Sequence, residues 1–331
     1  MDPTLAVSIV VTCRNNEATI GECLQALTSQ DYPQNAVEIL VIDACSTDKT
    51  AEIAKQFTPK VFCEPLNAAA AYNFAMKLAS HSILGFVDSD AKVERDWLKK
   101  LVPRLSEPNV AGVSGAIETW NEGNPWARAL GYEIKSRYSR IGKYTSRIAT
   151  MNLLLRKSII EEAGGWDEAF PSQYDTEFGY RLTRLGYKIA YEPQAKCYHY
   201  NRPTVRAYWR QQMQYGKNTS RLYFKYGRLA RGDEITDFGM NIQPPLMLAV
   251  LALLLLGTVP LLRSLWYVSG TVLLAVFVYY LYSAARISAK FKDPTAMRLV
   301  ILYYVRAFAW LSGGASTVAN SLHGNRRREQ N

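Results

Sequence analysis

The sequence predicts an α/β domain, with a mostly parallel sheet and flanking helices, followed by a C-terminal α-helical membrane region. Three observations predict it. Short apolar runs of strand length alternate with helix-periodic segments through the first half of the 331-residue chain. Those runs are apolar throughout, as in sheets covered on both faces. From Pro244 onward the chain turns strongly apolar, with two stretches long enough to cross a bilayer.

The elements follow in order. Val7–Thr12 (VSIVVT) is a first strand, and Ile20, Leu24 and Leu27 mark one face of a helix from Glu17 to Ser29. Val37–Asp43 (VEILVID) is a second strand, after which Ser46 and Thr47 offer helix caps. KVFCE is a short third strand, and the alanine-rich NAAAAYNFAMKLAS is a helix. SILGFVD is a fourth strand, and Arg95 to Leu105 is helical. From Ala111 to Tyr200 the pattern is mixed: NLLLRKS reads as a strand, SIIEEAGGW as a short helix ended by Gly164 and Gly165. YDTEFGYRLTRLGYKIAYEP reads as a helix, a stop at Gly186, then a strand.

Two apolar segments follow. Pro244–Leu262 and Leu265–Ala285 would each measure roughly 28–32 Å as helices, enough to cross a hydrocarbon core. The short link around Arg263 and Ser264 predicts a tight hairpin. A third segment, Leu299–Leu322, carries Arg306 and small polar residues, and is expected to span, re-enter or lie in the interface, the last two being preferred. Arg286, Lys290, Lys292 and Arg298 place the near end of the hairpin in the cytoplasm with the first domain. The domains expected are therefore residues 1–202, a basic aromatic stretch 203–240, a membrane region 241–322 and a basic tail 323–331.

The start, MDPTLAVSIVV, has an acid where a signal peptide has its positive region, so the chain is expected to stay on the side where it is made. Five cysteines, Cys13, Cys23, Cys45, Cys63 and Cys197, lack metal-type spacing and predict buried free thiols in a reducing compartment. The net charge of +10 is concentrated: eight Lys or Arg and no acid lie between Asn201 and Gly232. On a helix, Arg206, Arg210, Lys217, Arg221, Lys225 and Arg228 share one sector unless Gly216 breaks it. With aromatic residues interleaved and a membrane hairpin next in sequence, this stretch suits anionic membrane lipids rather than nucleic acid. The NTS at Asn218 fits a glycosylation sequon, which a cytoplasmic position makes irrelevant.

Three strand ends carry polar residues: TCRNNE after the first, DACSTD after the second and DSDAK after the fourth. Right-handed crossovers bring them to one edge, where open α/β sheets bind ligands. Asp88 and Asp90 are two like charges at the lip of a buried strand. A divalent cation relieves their repulsion and keeps positions free for phosphate oxygens. Alone, a D-x-D is also what a loop with a helix cap at Asp96 would show; Asp43 at a neighbouring strand end strengthens the metal site.

VSIVVTCRNNEATIGECLQALTSQDYP, EILVIDACSTDKTAEIA, GFVDSDAKVERDWL, GGWDEAF and YDTEFGYRLTRLGYKI together resemble the motifs of family 2 glycosyltransferases of the GT-A fold, a Rossmann-like architecture, over about residues 5–200. The resemblance implies inverting transfer of a sugar from a UDP- or GDP-type donor, with Mg²⁺ or Mn²⁺. It implies that Thr12, Arg14 and Glu17 border the nucleotide and that Asp43 accepts a hydrogen bond from the base. It gives ribose and metal to Asp88, the metal to Asp90, and the role of general base to Asp175. His199 would approach the metal or diphosphate, although a lone histidine after a strand is otherwise structural. QQMQYGK resembles a segment that closes over the donor diphosphate, which brings in Gln211, Tyr215 and Lys217. The chain departs from the family pattern at Ala44 and Cys45, at Tyr72 in place of an arginine, and at Tyr174 before Asp175, with Glu177 a rival base. The loop Gly115–Ser139, expected to bear on donor selectivity, is not readable from its pattern.

A membrane hairpin beside a hydrophilic reaction points to a lipid acceptor, a polyprenyl phosphate or a lipid-linked glycan, at the cytoplasmic face. The rivals are a polyprenyl-phosphate monosaccharide synthase and an inactive membrane scaffold of the same fold. Polymer export is disfavoured by the small number of membrane segments.

Overall fold

The computed structural model describes residues 5–328, with side chains through Thr317; residues 1–4, 329–331 and the side chains of the expected basic tail lie outside the described residues. The chain divides into two compact units: residues 5–120 with 137–200, and 121–136 with 201 onward. A division near 202 alone omits the excursion 121–136.

The first unit begins as the apolar runs predict: β1 (Val7–Cys13), α1 (Ile20–Thr28), β2 (Val37–Asp43), α2 (Thr50–Ala54), β3 (Val61–Cys63), α3 (Ala68–Leu78) and β4 (Ile83–Phe86). Then come β5 (Ala91–Val93), α4 (Trp97–Leu101), β6 (Val110–Thr119) and α5 (Pro125–Tyr138), most of which belongs to the second unit. The first unit ends with β7 (Tyr144–Thr145), β8 (Leu153–Arg156), α6 (Lys157–Glu162), α7 (Tyr174–Arg184) and β9 (Lys188–His199). Asn67 caps α3 by accepting from the Ala70 N–H at 3.0 Å. Gly164, Gly165 and Gly186 all have positive φ, where glycine ends a helix without strain. The cap expected from Ser46 and Thr47 is absent; Asp48 instead accepts from the Thr50 N–H at 3.0 Å.

The nine strands form one mixed, curled sheet in the order β3-β2-β1-β4-β8-β6-β9-β5, with β7 beside β9. β1 to β4 are mutually parallel, β6 runs parallel to β9, and β8, β5 and β7 run against their neighbours. Side chains alternate across the sheet. Val7, Ile9 and Val11 pack with Ile20, Leu24, Trp97 and Leu98 on one face. Val10, Leu40, Ile42 and Phe86 pack with Tyr72, Ala75, Phe178 and Leu182 on the other. Both faces are largely apolar, which is why the strands read as mostly apolar runs.

A buried carboxylate ties β1 and β2. Glu38 accepts from Ser8 Oγ and Lys60 Nζ, and from the Ser80 N–H and hydroxyl at 2.9 and 2.8 Å. Burial alone would raise its pKa, but these donors outweigh it and hold the group at about 2. A depressed folded-state pKa stabilises above the unfolded value, and the stabilisation is lost as pH falls from about 4.5 toward 2. Glu38→Gln is expected to lower stability by roughly 2 kcal/mol at pH 7, with the difference from the parent vanishing near pH 2 in denaturant titrations.

The second unit contains the first three turns of α5, then α8 (Val205–Lys225), α9 (Phe238–Leu256), α10 (Leu265–Phe291) and α11 (Leu299–Arg328). α9, α10 and Pro294–Thr317 are long and apolar enough to cross a membrane. Two expected boundaries are corrected. The first apolar helix starts at Phe238, because Asp237 caps it by accepting from the Met240 N–H at 2.9 Å. Pro244 and Pro245 lie inside it, leaving the carbonyls four residues earlier without helical donors. It ends at Leu256, so the link to α10 is longer than Arg263 and Ser264 and contains a 3-10 turn at Pro260–Leu262.

Gly216 does not break α8. It marks the crossing with α11: a Cβ there would lie 2.5 Å from Trp310 Cα, and one on Gly313 would lie 2.3 Å from the Met213 carbonyl. Trp310 Nε1 donates to Gln212 at 2.8 Å beside this contact. The basic residues Arg206, Arg210, Arg221, Lys225 and Arg228 stay exposed, while Tyr208, Gln212 and Leu222 are buried. Asn218 is also buried, which removes the sequon from access. Gly216→Leu is expected to cost roughly 1–3 kcal/mol by overpacking. Gly270→Leu, at a position with open space around it, is expected to be neutral in the same detergent melting assay.

Arg306, the charge that disturbs the third apolar segment, donates to Glu133 of α5 at 2.6 Å with both side chains buried. An arginine inside an apolar helix is tolerated when paired in this way. Nearby, Tyr132 donates to Asp293 at 2.8 Å and Arg298 lies over the Trp126 ring. All of these contacts lie within the second unit, to which residues 121–136 of the unreadable loop belong.

Candidate active site

The ends of β2, β1 and β4 carry the acids because they are adjacent strands with parallel direction. Asp43 is the last residue of β2 and pairs in register with Cys13. Asp88 follows β4, whose backbone stays paired to β1 through Val87 N–H to the Val10 carbonyl at 3.2 Å. One strand separates the two ends, so they stand roughly 10 Å apart. That is the scale of a base-to-phosphate distance in a nucleotide.

Asp43 is 1% exposed. Its carboxylate accepts from the Ser46 N–H at 2.9 Å, from Ser46 Oγ and from Cys13 Sγ at 3.6 Å. It therefore fixes the turn after β2, with room for one further donor. Thr12 donates to the Tyr72 hydroxyl at 3.4 Å. Arg14 is exposed, and the exposed Glu17 accepts from the Lys49 N–H at 3.1 Å, joining the loops after β1 and β2.

Asp88 accepts from Thr150 Oγ1 at 3.2 Å and from the Tyr72 hydroxyl at 3.4 Å. Asp90 precedes β5, which pairs antiparallel with the end of β9, so Ala91 faces His199. That register brings His199 Nε2 to 3.5 Å from Asp90 Oδ1. Burial, then the Asp90 charge, pushes the Asp88 carboxyl up to about 6, against the pull of His199; the Asp175 charge adds to the rise. Two carboxylates and an imidazole in a partly buried cluster form a donor set that suits Mn²⁺ or Mg²⁺. Among the described residues no three such groups already enclose a metal position. A cation here would take its remaining ligands from phosphate oxygens or water.

Asp175 sits in the first turn of α7 and accepts from the Thr176 N–H at 2.7 Å. Burial raises its pKa, and Arg147 opposes the rise. Glu177 is 0% exposed and is tied to Arg181 at 2.8 Å, while Arg181 also donates to the Ala163 and Gly165 carbonyls. Glu177 thus fastens α7 to the glycine turn, which leaves Asp175 as the acid facing the Asp88 field.

Residues 8–163 match the model of glycosyl transferase family 2. The chain carries a family 2 glycosyl transferase domain. Glycosyltransferase AglE of Haloferax volcanii is 29% identical over 205 residues, 60% of this chain and 67% of that one. A dolichyl N-acetyl-α-D-glucosaminyl phosphate 3-β-D-2,3-diacetamido-2,3-dideoxy-β-D-glucuronosyltransferase of Methanococcus voltae is 26% identical over 230 residues, 63% of this chain and 71% of that one. Among solved structures, a mannosyltransferase of Pyrobaculum calidifontis, in complex with GDP-Man and Mn²⁺, superposes with a TM-score of 0.57. It covers 93% of this chain and 88% of that one at 19% identity, a likeness of fold.

The glycosyltransferase domain gathers Thr12, Asp88, Asp90, Asp175 and His199 into one connected cluster, with Asp43 beyond β1. Gln211, Tyr215 and Lys217 belong to α8 of the second unit. Tyr72 is the main residue whose part was not foreseen. It is 0% exposed, bridges Thr12 to Asp88, and packs edge-on to Phe86 and Tyr174. A tyrosine where the family has arginine gives Asp88 a neutral donor in place of a cation. Thr150 and Arg147 were also missed. They lie in a loop with no periodic pattern, so no sequence signal singled them out. Asn73, next to Tyr72, holds the glycine turn by donating to the Trp166 carbonyl at 2.9 Å and accepting from its N–H at 2.8 Å.

Proposed function

We propose that this glycosyltransferase moves a sugar, with inversion, from a UDP- or GDP-type donor to a lipid-linked acceptor at the cytoplasmic face of a membrane. The observation that carries the donor half is the cluster of Asp88, Asp90 and His199 at the edge where β1 and β2 also end. Asp88, Asp90 and His199 would hold Mg²⁺ or Mn²⁺. When bound, such an ion neutralises the charge that develops on a departing diphosphate. Asp43 holds the turn against which the base lies and keeps one acceptor site for a base N–H. Thr12, Arg14 and Glu17 border the nucleotide, and Gln211, Tyr215 and Lys217 are assigned to the diphosphate. Asp175 takes the acceptor hydroxyl proton as that oxygen attacks the anomeric carbon, and its raised pKa makes it a stronger base.

The acceptor half rests on the second unit. α9, α10 and the turn between them expose Leu255, Leu261, Tyr267 and Leu274, and α8 exposes its basic row. These features suit a membrane with anionic headgroups. α11 packs along the basic α8 and is assigned to the interface, with α9 and α10 crossing. A cavity of about 320 Å³ opens beside Pro244 and Pro245, between the hydroxyls of Ser220 and Tyr223 and the rings of Phe238 and Trp310. A mostly apolar lining with a few polar residues suits a lipid chain close to its headgroup. The name of the Methanococcus voltae relative, with its dolichyl phosphate, agrees with that class of acceptor.

The test is nucleotide release by the purified full chain in detergent, screened across UDP-, GDP- and dTDP-sugars with Mn²⁺. Release that requires added lipid extract is the expected result. Equal release with water-soluble sugars alone would refute the lipid acceptor.

A further inference from the structure

Cys45 and Cys63 stand apart from the other three cysteines. Cys13, Cys23 and Cys197 are buried, whereas Cys45 and Cys63 are exposed, and their Sγ atoms lie 3.0 Å apart. The contact comes from the sheet. Cys63 pairs in register with Asp43 across the β2–β3 ladder, and the Glu64 N–H continues it by donating to the Asp43 carbonyl at 2.9 Å. Cys45 comes two residues after Asp43 and has φ of 52°, a left-handed conformation that turns the chain back at this point. The sulfurs need to close only about 1 Å to reach covalent distance.

We propose that Cys45 and Cys63 form a reversible disulfide that governs the turn held by Asp43. The oxidant is a low-molecular-weight disulfide such as oxidised glutathione. One cysteine thiolate attacks a glutathione sulfur; the glutathione S–S bond breaks and a first glutathione leaves. The second cysteine attacks the mixed disulfide, the Cys45–Cys63 bond forms, and a second glutathione leaves. The two cysteine protons end on the two glutathione thiols, and the pair is oxidised by the two electrons that the oxidant gains.

The consequence lies in the same turn. Ser46 follows Cys45, donates to Asp43 through N–H and Oγ, and accepts from the Asn15 N–H at 2.8 Å. Drawing Cys45 toward β3 pulls this turn from β1 and loosens the Asp43 contacts. The effect on donor binding rests on the function proposed above; formation of the bond does not.

The test uses the full chain in detergent, equilibrated with oxidised and reduced glutathione, then alkylated without unfolding and weighed by mass spectrometry. The reduced protein is expected to take two alkyl groups and the oxidised protein none, with a mass lower by two hydrogens. Dithiothreitol is expected to restore both thiols. Cys45→Ser and Cys63→Ser are each expected to leave one thiol, which ends as a glutathione adduct. Two alkylatable thiols, or two separate glutathione adducts, after full oxidation would overturn the proposal. Oxidation is expected to weaken UDP- or GDP-sugar binding roughly fivefold, the worth of about one net hydrogen bond, in the parent and not in Cys45→Ser. Disulfide formation with unchanged donor affinity would overturn the control of the turn. Absence of donor binding by the reduced protein would instead count against the proposed function, leaving the disulfide decided by mass alone.

Discussion

Asp90→Asn is expected to reduce sugar transfer by roughly 10³-fold or more, because in the proposed reaction Asp90 would be a direct ligand of a cation that would supply several kcal/mol to the departing diphosphate. The loss should come with loss of Mn²⁺ binding in calorimetry. It should not come with unfolding: Asp90 is a like charge that raises the Asp88 carboxyl, so removing it relieves repulsion in the metal-free protein. His199→Asn is expected to cost less, since a neutral imidazole brings no charge to the cation and the two carboxylates of Asp88 and Asp90 remain. Wild-type rates for Asp90→Asn with Mn²⁺ present would remove this residue from the reaction.

Asp175→Asn is the second large effect. A general base contributes roughly 10²–10⁴-fold, so kcat should fall by that order while donor affinity stays close to the parent's. The parent should lose activity on the acid side at a pH above the ordinary aspartate value, because burial raises Asp175 and the base works only when deprotonated. Asp175→Asn should remove the contribution of Asp175 to that limb, leaving only that of Asp88. Glu177→Gln should behave differently. Its partner Arg181 clamps the Ala163 and Gly165 carbonyls, so the variant should melt earlier and lose activity through instability. Activity surviving Asp175→Asn would favour a phosphate nucleophile, which needs no base, and the polyprenyl-phosphate synthase alternative.

The part of the fold nearest the candidate site was the part legible in the sequence. β1, β2 and β4 are largely buried on both faces, so each is a mostly apolar run, interrupted in β1 and β2 only by the paired Ser8 and Glu38 before a polar motif begins. β6 was illegible for a packing reason. Its Gly112 and Gly115 lie where a Cβ would come within 2.3 Å of the Leu154 carbonyl and 2.2 Å of the Ala195 carbonyl. Small residues required by close neighbours weaken the apolar signal of a ten-residue strand. Gly216 was ambiguous for the same reason: left open as a helix breaker, it is a contact surface for Trp310.

The site was legible as far as charge alone could carry it. Acids at strand ends stand out because an unpaired buried carboxylate is costly. Neutral donors carry no such mark. Tyr72 and Thr150 reach Asp88 from α3 and from a loop some sixty residues downstream, a meeting that only the folded chain creates. Glu133 and Arg306 are separated by 173 positions, so nothing in either neighbourhood announces the pair.

One binding experiment bears most directly on whether these acids serve a metal and a diphosphate. The purified full chain in detergent would be titrated calorimetrically with a UDP- or GDP-sugar, with Mn²⁺ present and after its removal by chelator. Binding that appears only with Mn²⁺, and disappears in Asp90→Asn, is the predicted outcome. Tight donor binding that is indifferent both to chelator and to Asp90→Asn would contradict it.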